Sequence, residues 1–117
     1  MLLNNQDFYK ICFENSREGI IVTDELGIIL LTNSRVESIF GYKPEELVNR
    51  SVSILLPKSI KQKHEKSVAN YHKILYNRDD FEKRDLYGIH KEGHKVEVII
   101  GLNHFTIDGK DFVKASI

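Results

Sequence analysis

Several residue types are scarce in this sequence of 117 residues, which has no tryptophan, two prolines and a single cysteine, Cys12. A chain with one cysteine cannot form an intrachain disulfide. The absence of disulfides is typical of domains in the reducing cytoplasm. No apolar run approaches the roughly 18–20 residues of a membrane helix. The first residues also lack the basic and apolar regions of a signal peptide. We therefore expect a cytoplasmic domain with no direct membrane insertion.

An excess of either charge is also absent, because 17 lysines and arginines balance 17 aspartates and glutamates. A chain without net charge has no general attraction to nucleic acid, so binding to DNA or RNA is not expected. The sequence also lacks a nucleophile elbow, a phosphate-binding loop and a dinucleotide-binding motif. We expect a domain that is not itself an enzyme.

What the sequence does contain is a set of β-rich runs separated by three turn signals. Residues 24–27, 91–93 and 108–109 each include a glycine, which can take the positive φ that tight hairpins require. The runs beside the first turn show little alternation, which predicts strands covered on both faces. The five predicted strands are residues 19–23, 28–32, 81–91, 94–105 and 110–117.

Helices are predicted between the second and third strands, over residues 34–75. Ser34 is a candidate N-cap, Gly41 ends the first helix, and Pro44 suits the first position of the next one. A longer helix with an apolar stripe is predicted over residues 59–75. These helices connect the first hairpin to the last three strands.

A short helix is also predicted within the N-terminal segment 1–17, with Phe8, Ile11 and Cys12 on one side. The order of helix, two strands, helices and three strands indicates one α+β domain over residues 1–117, with its core at 18–117. An antiparallel sheet with helices on one face leaves a natural place for a small-molecule pocket between the two layers.

Short motifs follow one another along nearly the whole chain. They are Phe-Glu-Asn-Ser at 13–16, Gly-Ile-Ile-Val-Thr-Asp at 19–24, Gly27, Asn33, Phe-Gly-Tyr at 40–42, Glu-Glu-Leu at 45–47, Leu-Leu-Pro at 55–57 and Gly-Ile-His-Lys-Glu-Gly at 88–93. In this order and spacing they resemble the PAS family of sensory domains. One departure is Asn49, where the family often has glycine, and asparagine tolerates the same left-handed backbone.

The resemblance implies a PAS fold, with a five-stranded antiparallel sheet in the order 2-1-5-4-3. It also implies a domain that senses a small molecule or a partner, forms homodimers and regulates an attached output module. Such a module is a histidine kinase of a two-component system, a diguanylate cyclase or a similar unit. Family members continue beyond the position of Ile117 into an output helix, so we expect a chain truncated before its signalling linker.

Candidates for a ligand pocket are the residues on the predicted inward faces of the long helix and the fourth strand. On the strand, apolar residues recur with a period of two and therefore share one face. On the helix, they recur at helical spacing. The candidates are His64, Tyr71, Val96, Val98, Ile100 and Leu102, and Arg84 on the preceding strand is a further candidate.

The identity of any cofactor stays open, with haem as one alternative. His64 is similar in position to the proximal haem ligand of oxygen-sensing PAS domains, and Arg84 matches their distal arginine. Against haem, a lone histidine on a helix is more often a packed residue than a ligand. Residues 78–83 also carry acids where haem sensors have small and apolar residues, and such acids are costly beside a porphyrin.

Flavin and metal sites are not expected. The light-sensing branch of the family has a cysteine after the second strand, whereas Cys12 precedes the first strand and reads as a small buried or half-buried apolar residue. The remaining histidines show no ligand pairing at helical spacing and have no thiolates nearby, although His90 and His94 could close across their hairpin. They are His72, His90, His94 and His104.

A third alternative is a purely structural dimerisation module whose interior is filled by its own side chains. For the sensory domain, the amphipathic segment 5–15 is the predicted dimer contact.

Overall fold

The computed structural model describes residues 4–57 and 86–117. The predicted helix 59–75 and the first residues of the predicted strand 81–91 lie outside this part of the chain. The helices within it are α1 (Asn5–Glu14), α2 (Ser34–Phe40), α3 (Pro44–Leu47) and the 3-10 helix η1 (Val52–Leu55). None of the helices described in these two ranges is long and apolar enough to span a membrane.

The strands form an antiparallel sheet, as the α+β assignment predicts. They are β1 (Ile20–Asp24), β2 (Ile29–Thr32), β3 (Leu86–Ile89), β4 (Lys95–Val98), β5 (Gly101–Ile107) and β6 (Lys110–Ser116). Four of them pair in the order β2-β1-β6-β5, and β3 pairs with β4 in a separate ribbon. The last strand therefore lies inside the sheet, between the first strand and β5.

The strand predicted as a single run over residues 94–105 is in fact two strands, β4 and β5, separated at Ile99 and Ile100. β4 pairs with β3, whereas β5 pairs with β6. If β4 and β5 are counted as halves of one strand, the pairing order agrees with the expected 2-1-5-4-3. Hydrophobic alternation did not reveal the break, because it reports which face a side chain occupies and not which backbone groups are bonded.

The turns have the chemistry that their sequences predict. Asp24 Oδ1 accepts hydrogen bonds from the amides of Leu26 and Ile28, each at 2.9 Å, and Gly27 takes a φ of 80°. Asp108 and Gly109, between β5 and β6, both have positive φ, at 51° and 76°. Two successive positive φ values match a type I′ turn, whose twist suits a two-residue hairpin.

The beginning of α2 differs from the prediction by one residue. Asn33 is the N-cap and Ser34 is the first helical residue, while the Ser34 hydroxyl donates to the carbonyl oxygen of Glu14 at 3.0 Å. Asparagine and serine are nearly equal as N-caps, so local preference did not distinguish the two positions. The predicted end is correct, since Gly41 has a φ of 80° and its amide donates to the Glu37 carbonyl at 2.8 Å.

The hydrophobic core lies between one face of the sheet and the helices. It joins two sheet residues to four residues of α2, α3 and η1, namely Ile21, Ile29, Val36, Phe40, Leu47 and Leu55. The opposite face is less covered than predicted, because Leu31 is 55% exposed and its strand partner Val22 is half-buried. Apolar and polar residues do not alternate in β1 and β2 because these strands are rich in β-branched residues. The lack of alternation does not mean that both faces are buried.

Asn33 is a completely buried polar residue in this core. Its Oδ1 accepts from the Ile20 amide at 3.0 Å, and its Nδ2 donates to the carbonyls of Phe13 and Glu18 at 2.9 and 3.0 Å. Its own backbone amide donates to the Ile20 carbonyl at 3.2 Å. One side chain thus joins the end of α1, the beginning of β1 and the beginning of α2.

Replacing Asn33 by alanine is expected to lower the free energy of unfolding by about 3 kcal/mol, because it leaves buried backbone groups without partners. The matched control is Asn103→Ala, since Asn103 is an exposed residue of β5. That change should alter stability by less than about 0.5 kcal/mol. Urea denaturation of both variants measures the difference, and equal losses would contradict the role given to Asn33.

Candidate functional site

The inner face is the helix-facing side of the sheet and of the β3–β4 ribbon, and it contains the pocket candidates of the fourth predicted strand. Val96, Val98, Ile100 and Leu102 are all half-buried, and the residues between them are exposed. Val96 and Val98 pack against the core described above. The predicted alternation is therefore confirmed on both sides of the break, and these apolar side chains line one face.

Strand register places Leu102 on the same side as the core. Leu102 lies opposite Ala115 of β6, and Ala115 lies opposite Ile21 of β1, which is only 2% exposed. Directly opposite residues of an antiparallel pair project from the same face. This row of three apolar residues continues the inner face from the buried core toward β5.

The other pocket candidates, His64, Tyr71 and Arg84, lie outside the described residues. The structure shows the apolar strand face described above, and the pocket itself stays a prediction. The same holds for the haem alternative, which depends on His64. What the described residues contribute is an apolar wall, which fits a hydrophobic ligand or the domain's own packed interior.

The turn between β3 and β4 is attached to the end of α2, a contact that sequence analysis did not predict. The Lys91 amide donates to the Phe40 carbonyl at 2.9 Å. A Cβ on Gly88 would overlap the Phe40 ring, and a Cβ on Gly41 would lie 2.6 Å from His90 Nε2. Both glycines thus allow close approach of the helix and the hairpin.

A salt bridge joins the same turn to α3. Glu46 accepts a hydrogen bond from the backbone amide of Lys43 at 3.0 Å, and the Lys91 ammonium contacts its other oxygen at 2.6 Å. These two bonds, the backbone bond first, hold the pKa of Glu46 below its usual value. The stabilisation is therefore present above the ordinary carboxyl pKa and is lost as pH falls through the lowered one.

Helix α1 presents apolar residues to solvent. Phe8 is 52% and Ile11 45% exposed, and the helix has no buried residue. Cys12 is also exposed, so its predicted burial is wrong. Helical spacing alone shows that these side chains share a side, and it does not show whether the rest of the domain covers that side.

The beginning of β1 and the end of β6 lie side by side. The Gly19 amide donates to the Ile117 carbonyl at 3.0 Å, and the Ile117 amide donates to the Gly19 carbonyl at 2.8 Å. This pair continues the β1–β6 ladder by one residue. The segment that leads out of α1 is thus bonded directly to residue 117.

The arrangement agrees with comparisons to known proteins. The protein-family model for the PAS fold matches residues 7–106 of this chain. The chain belongs to the PAS family. The expected fold is therefore confirmed by an independent comparison of sequence as well as by the antiparallel sheet with its helices.

Two curated relatives that match this chain are much longer than it is. A probable serine/threonine-protein kinase of Dictyostelium discoideum is 38% identical over an alignment of 104 residues, and the alignment covers 84% of this chain and 7% of the kinase. The oxygen sensor protein DosP of Escherichia coli is 22% identical over 104 residues, which is 89% of this chain and 13% of the sensor. The chain thus spans only a small part of either relative.

Among solved structures, a domain of the sensory box sensor histidine kinase/response regulator from Geobacter sulfurreducens has the same fold. Its TM-score is 0.65 at 17% identity, with 95% of this chain and 91% of that chain covered. At this level of identity, the similarity shows the PAS fold alone.

The contact of His90 with Gly41 can be tested with a glycine of similar conformation. Gly41 and Gly109 have φ values of 80° and 76°, but a Cβ on Gly109 would meet no atom within 4 Å. Alanine at Gly109 should cost about 1 kcal/mol from backbone strain alone. Alanine at Gly41 should cost about 1–2 kcal/mol more, because the methyl group overlaps the His90 ring.

In a His90→Ala background, the difference between the two alanine variants should become smaller. Urea denaturation of the variants in a double-mutant cycle measures this coupling. A difference that is unchanged by His90→Ala would show that the ring does not restrict Gly41.

Proposed function

We propose that this PAS domain is the sensory and dimerisation unit of a larger signalling protein, with an attached output module such as a histidine kinase. A small molecule or a partner would bind against the inner face of the sheet, and α1 would contact a second copy of the chain. Membership of the PAS family supports the sensory role. The single exposed cysteine and the absence of net charge favour a cytoplasmic site of action without nucleic acid.

The observation that carries the proposal is the pairing of Gly19 with Ile117. β6 lies between β1 and β5, and its residues Val113 and Ala115 line the inner face. A ligand that pushes on this face would move β6 and, through the same backbone ladder, both Gly19 and residue 117. Ligand binding can then bias the position of α1 relative to an output module, as a shift between two populated states.

Helix α1 is the proposed dimer contact because its apolar side is exposed while its C-terminal end is held in place. The end is fixed by the Asn33 bond to the Phe13 carbonyl and by the Ser34 bond to the Glu14 carbonyl. A helix whose end is held in place and whose apolar side is exposed suits association with an equivalent helix. A second copy would cover Phe8 and Ile11.

The dimer contact is tested by changing Phe8 and Ile11 together to glutamine. The double variant should shift the sedimentation profile toward the monomer, weakening the dimer by about tenfold or more, since it removes apolar area from the contact. The control is Lys10→Gln, on the opposite side of the same helix, which should sediment as the parent chain does. Equal sedimentation of the double variant and the parent chain would refute the α1 contact.

A haem-binding sensor is a second candidate for the function. It is favoured by the match to the oxygen sensor DosP across 89% of this chain and by the resemblance of His64 to a proximal haem ligand. A histidine side chain on an apolar wall is a known way to hold haem iron. Val96 and Val98 would supply part of that wall. Their packing against the core equally suits the third candidate, a dimerisation module without ligand.

Absorbance and native mass spectrometry of freshly purified protein distinguish these candidates. A haem sensor expressed with haemin should show a Soret band that His64→Ala abolishes. A sensor of a colourless small molecule should show an added mass and no visible band. A dimerisation module should show neither, and His72→Ala serves as the matched histidine control. A Soret band unchanged in His64→Ala would exclude His64 as the ligand.

A further inference from the structure

Three side chains with metal-binding atoms converge at the turn between β3 and β4. They are His90, Glu92 and His94, and one ligand atom of each lies within 4.8 Å of the others. His90 is half-buried, and Glu92 and His94 are exposed. This turn has no role in the proposed sensory function, so a site at the turn is independent of that function.

Hairpin register is what brings the two histidines together. The His90 amide donates to the His94 carbonyl at 2.9 Å, which makes the two residues direct partners across the hairpin. Gly93 closes the turn with a φ of 96° and donates its amide to the His90 carbonyl at 2.8 Å. The imidazole rings are stacked, with centroids 4.2 Å apart and planes at 19°. Glu92 lies between them at the tip.

The environment of His90 determines which of its nitrogens is available. The Cε1–Nε2 edge of the ring faces Gly41, as the overlap with a Cβ at that position shows. Nδ1 accepts a hydrogen bond from the Glu92 amide at 3.1 Å. A neutral imidazole that accepts at Nδ1 carries its proton on Nε2. The lone pair of His90 therefore points toward the turn, where Glu92 and His94 are.

The two lysines beside these residues are engaged elsewhere. The Lys91 ammonium is bound to Glu46 at 2.6 Å. The Lys95 ammonium lies over the Tyr87 ring, 4.6 Å from its centroid. Each of the two ammonium groups thus has a partner other than Glu92. The Glu92 carboxylate lies at the tip of the hairpin between the two histidines.

We propose that His90, Glu92 and His94 form a site for Zn²⁺. Two imidazoles and one carboxylate are a ligand set that zinc uses in three-ligand sites with a fourth, open position. Zinc bonds of about 2.0–2.1 Å place tetrahedral ligand atoms roughly 3.3 Å apart, whereas the three atoms now lie within 4.8 Å of one another. Rotation of the exposed His94 and Glu92 side chains provides this adjustment. The ion takes the place of the Glu92 backbone amide as the partner of His90 Nδ1.

This site departs from the expectation, drawn from the sequence, that the domain holds no metal outside a haem. That expectation was based on helical spacing of ligands, whereas alternate positions 90, 92 and 94 converge here because a tight turn folds them together. The same turn is bonded to α2 through Lys91 and Phe40. A bound ion would therefore fix the β3–β4 ribbon where it meets the helices.

The test is a Zn²⁺ titration of the complete 117-residue chain, followed by calorimetry and by competition with a chromogenic chelator. The chain should bind one ion with micromolar affinity. His90→Gln and His94→Gln should each weaken binding by about tenfold or more, and Glu92→Gln by several-fold. The matched control His104→Gln, on β5, should bind as the parent chain does.

Two further measurements keep the result independent of folding. His94 and Glu92 are exposed, so their glutamine variants should have the parent unfolding temperature without zinc. Added Zn²⁺ should raise that temperature in the parent chain and in His104→Gln, and not in His94→Gln. Imidazole nitrogen spectra should show zinc-dependent shifts for His90 Nδ1.

Two results would overturn the proposal. One is the absence of saturable binding up to about 1 mM Zn²⁺. The other is binding that the His94→Gln and Glu92→Gln changes leave unaltered, which would assign the ion to other histidines or to Cys12.

Discussion

The buried carboxamide of Asn33 is the interaction on which the rest of this domain depends. Its oxygen and its amino group are both used, so that three backbone groups from α1, β1 and the connection between them find a partner inside the core. A buried polar group is costly unless it is bonded in this way. The geometry that satisfies it therefore also fixes where α1 ends, where β1 begins and where α2 starts.

Other contacts extend this junction into a continuous frame. β1 is held between β2 and β6, and the core residues Ile21 and Ile29 meet the helices from the sheet side. At the far end of α2, Gly41 lets the His90 ring pack on the helix terminus, and Lys91 bonds to the Phe40 carbonyl. The helix is thus attached at its first turn to β1 and at its last turn to the β3–β4 hairpin.

Local signals in the sequence were sufficient to predict the turns, the positions of the strands apart from the break between β4 and β5, and the inner face. Asp24 and Gly27 specify their turn by side-chain bonding and positive φ, and Asp108 with Gly109 does the same. The alternation of Val96 and Val98 predicted their burial because a strand has only two faces. Each of these features depends on residues that are close in the chain.

Features that depend on distant residues were not predictable in the same way. The break at Ile99 and Ile100 results from a change of pairing partner, and the attachment of His90 to Gly41 joins segments about fifty residues apart. Exposure of Cys12 likewise depends on what the rest of the fold leaves uncovered. For His64, Tyr71 and Arg84, the sequence remains the source of the prediction, because they lie outside the described residues.

The bonding of Gly19 to Ile117 has a consequence for how such a domain is used in evolution. Because the chain enters and leaves the sheet at neighbouring points, the domain can be inserted into another protein without separating the parts on either side. In two relatives of this domain, the matched region is 7% and 13% of the length of the protein. A fold with adjacent ends is portable between unrelated proteins.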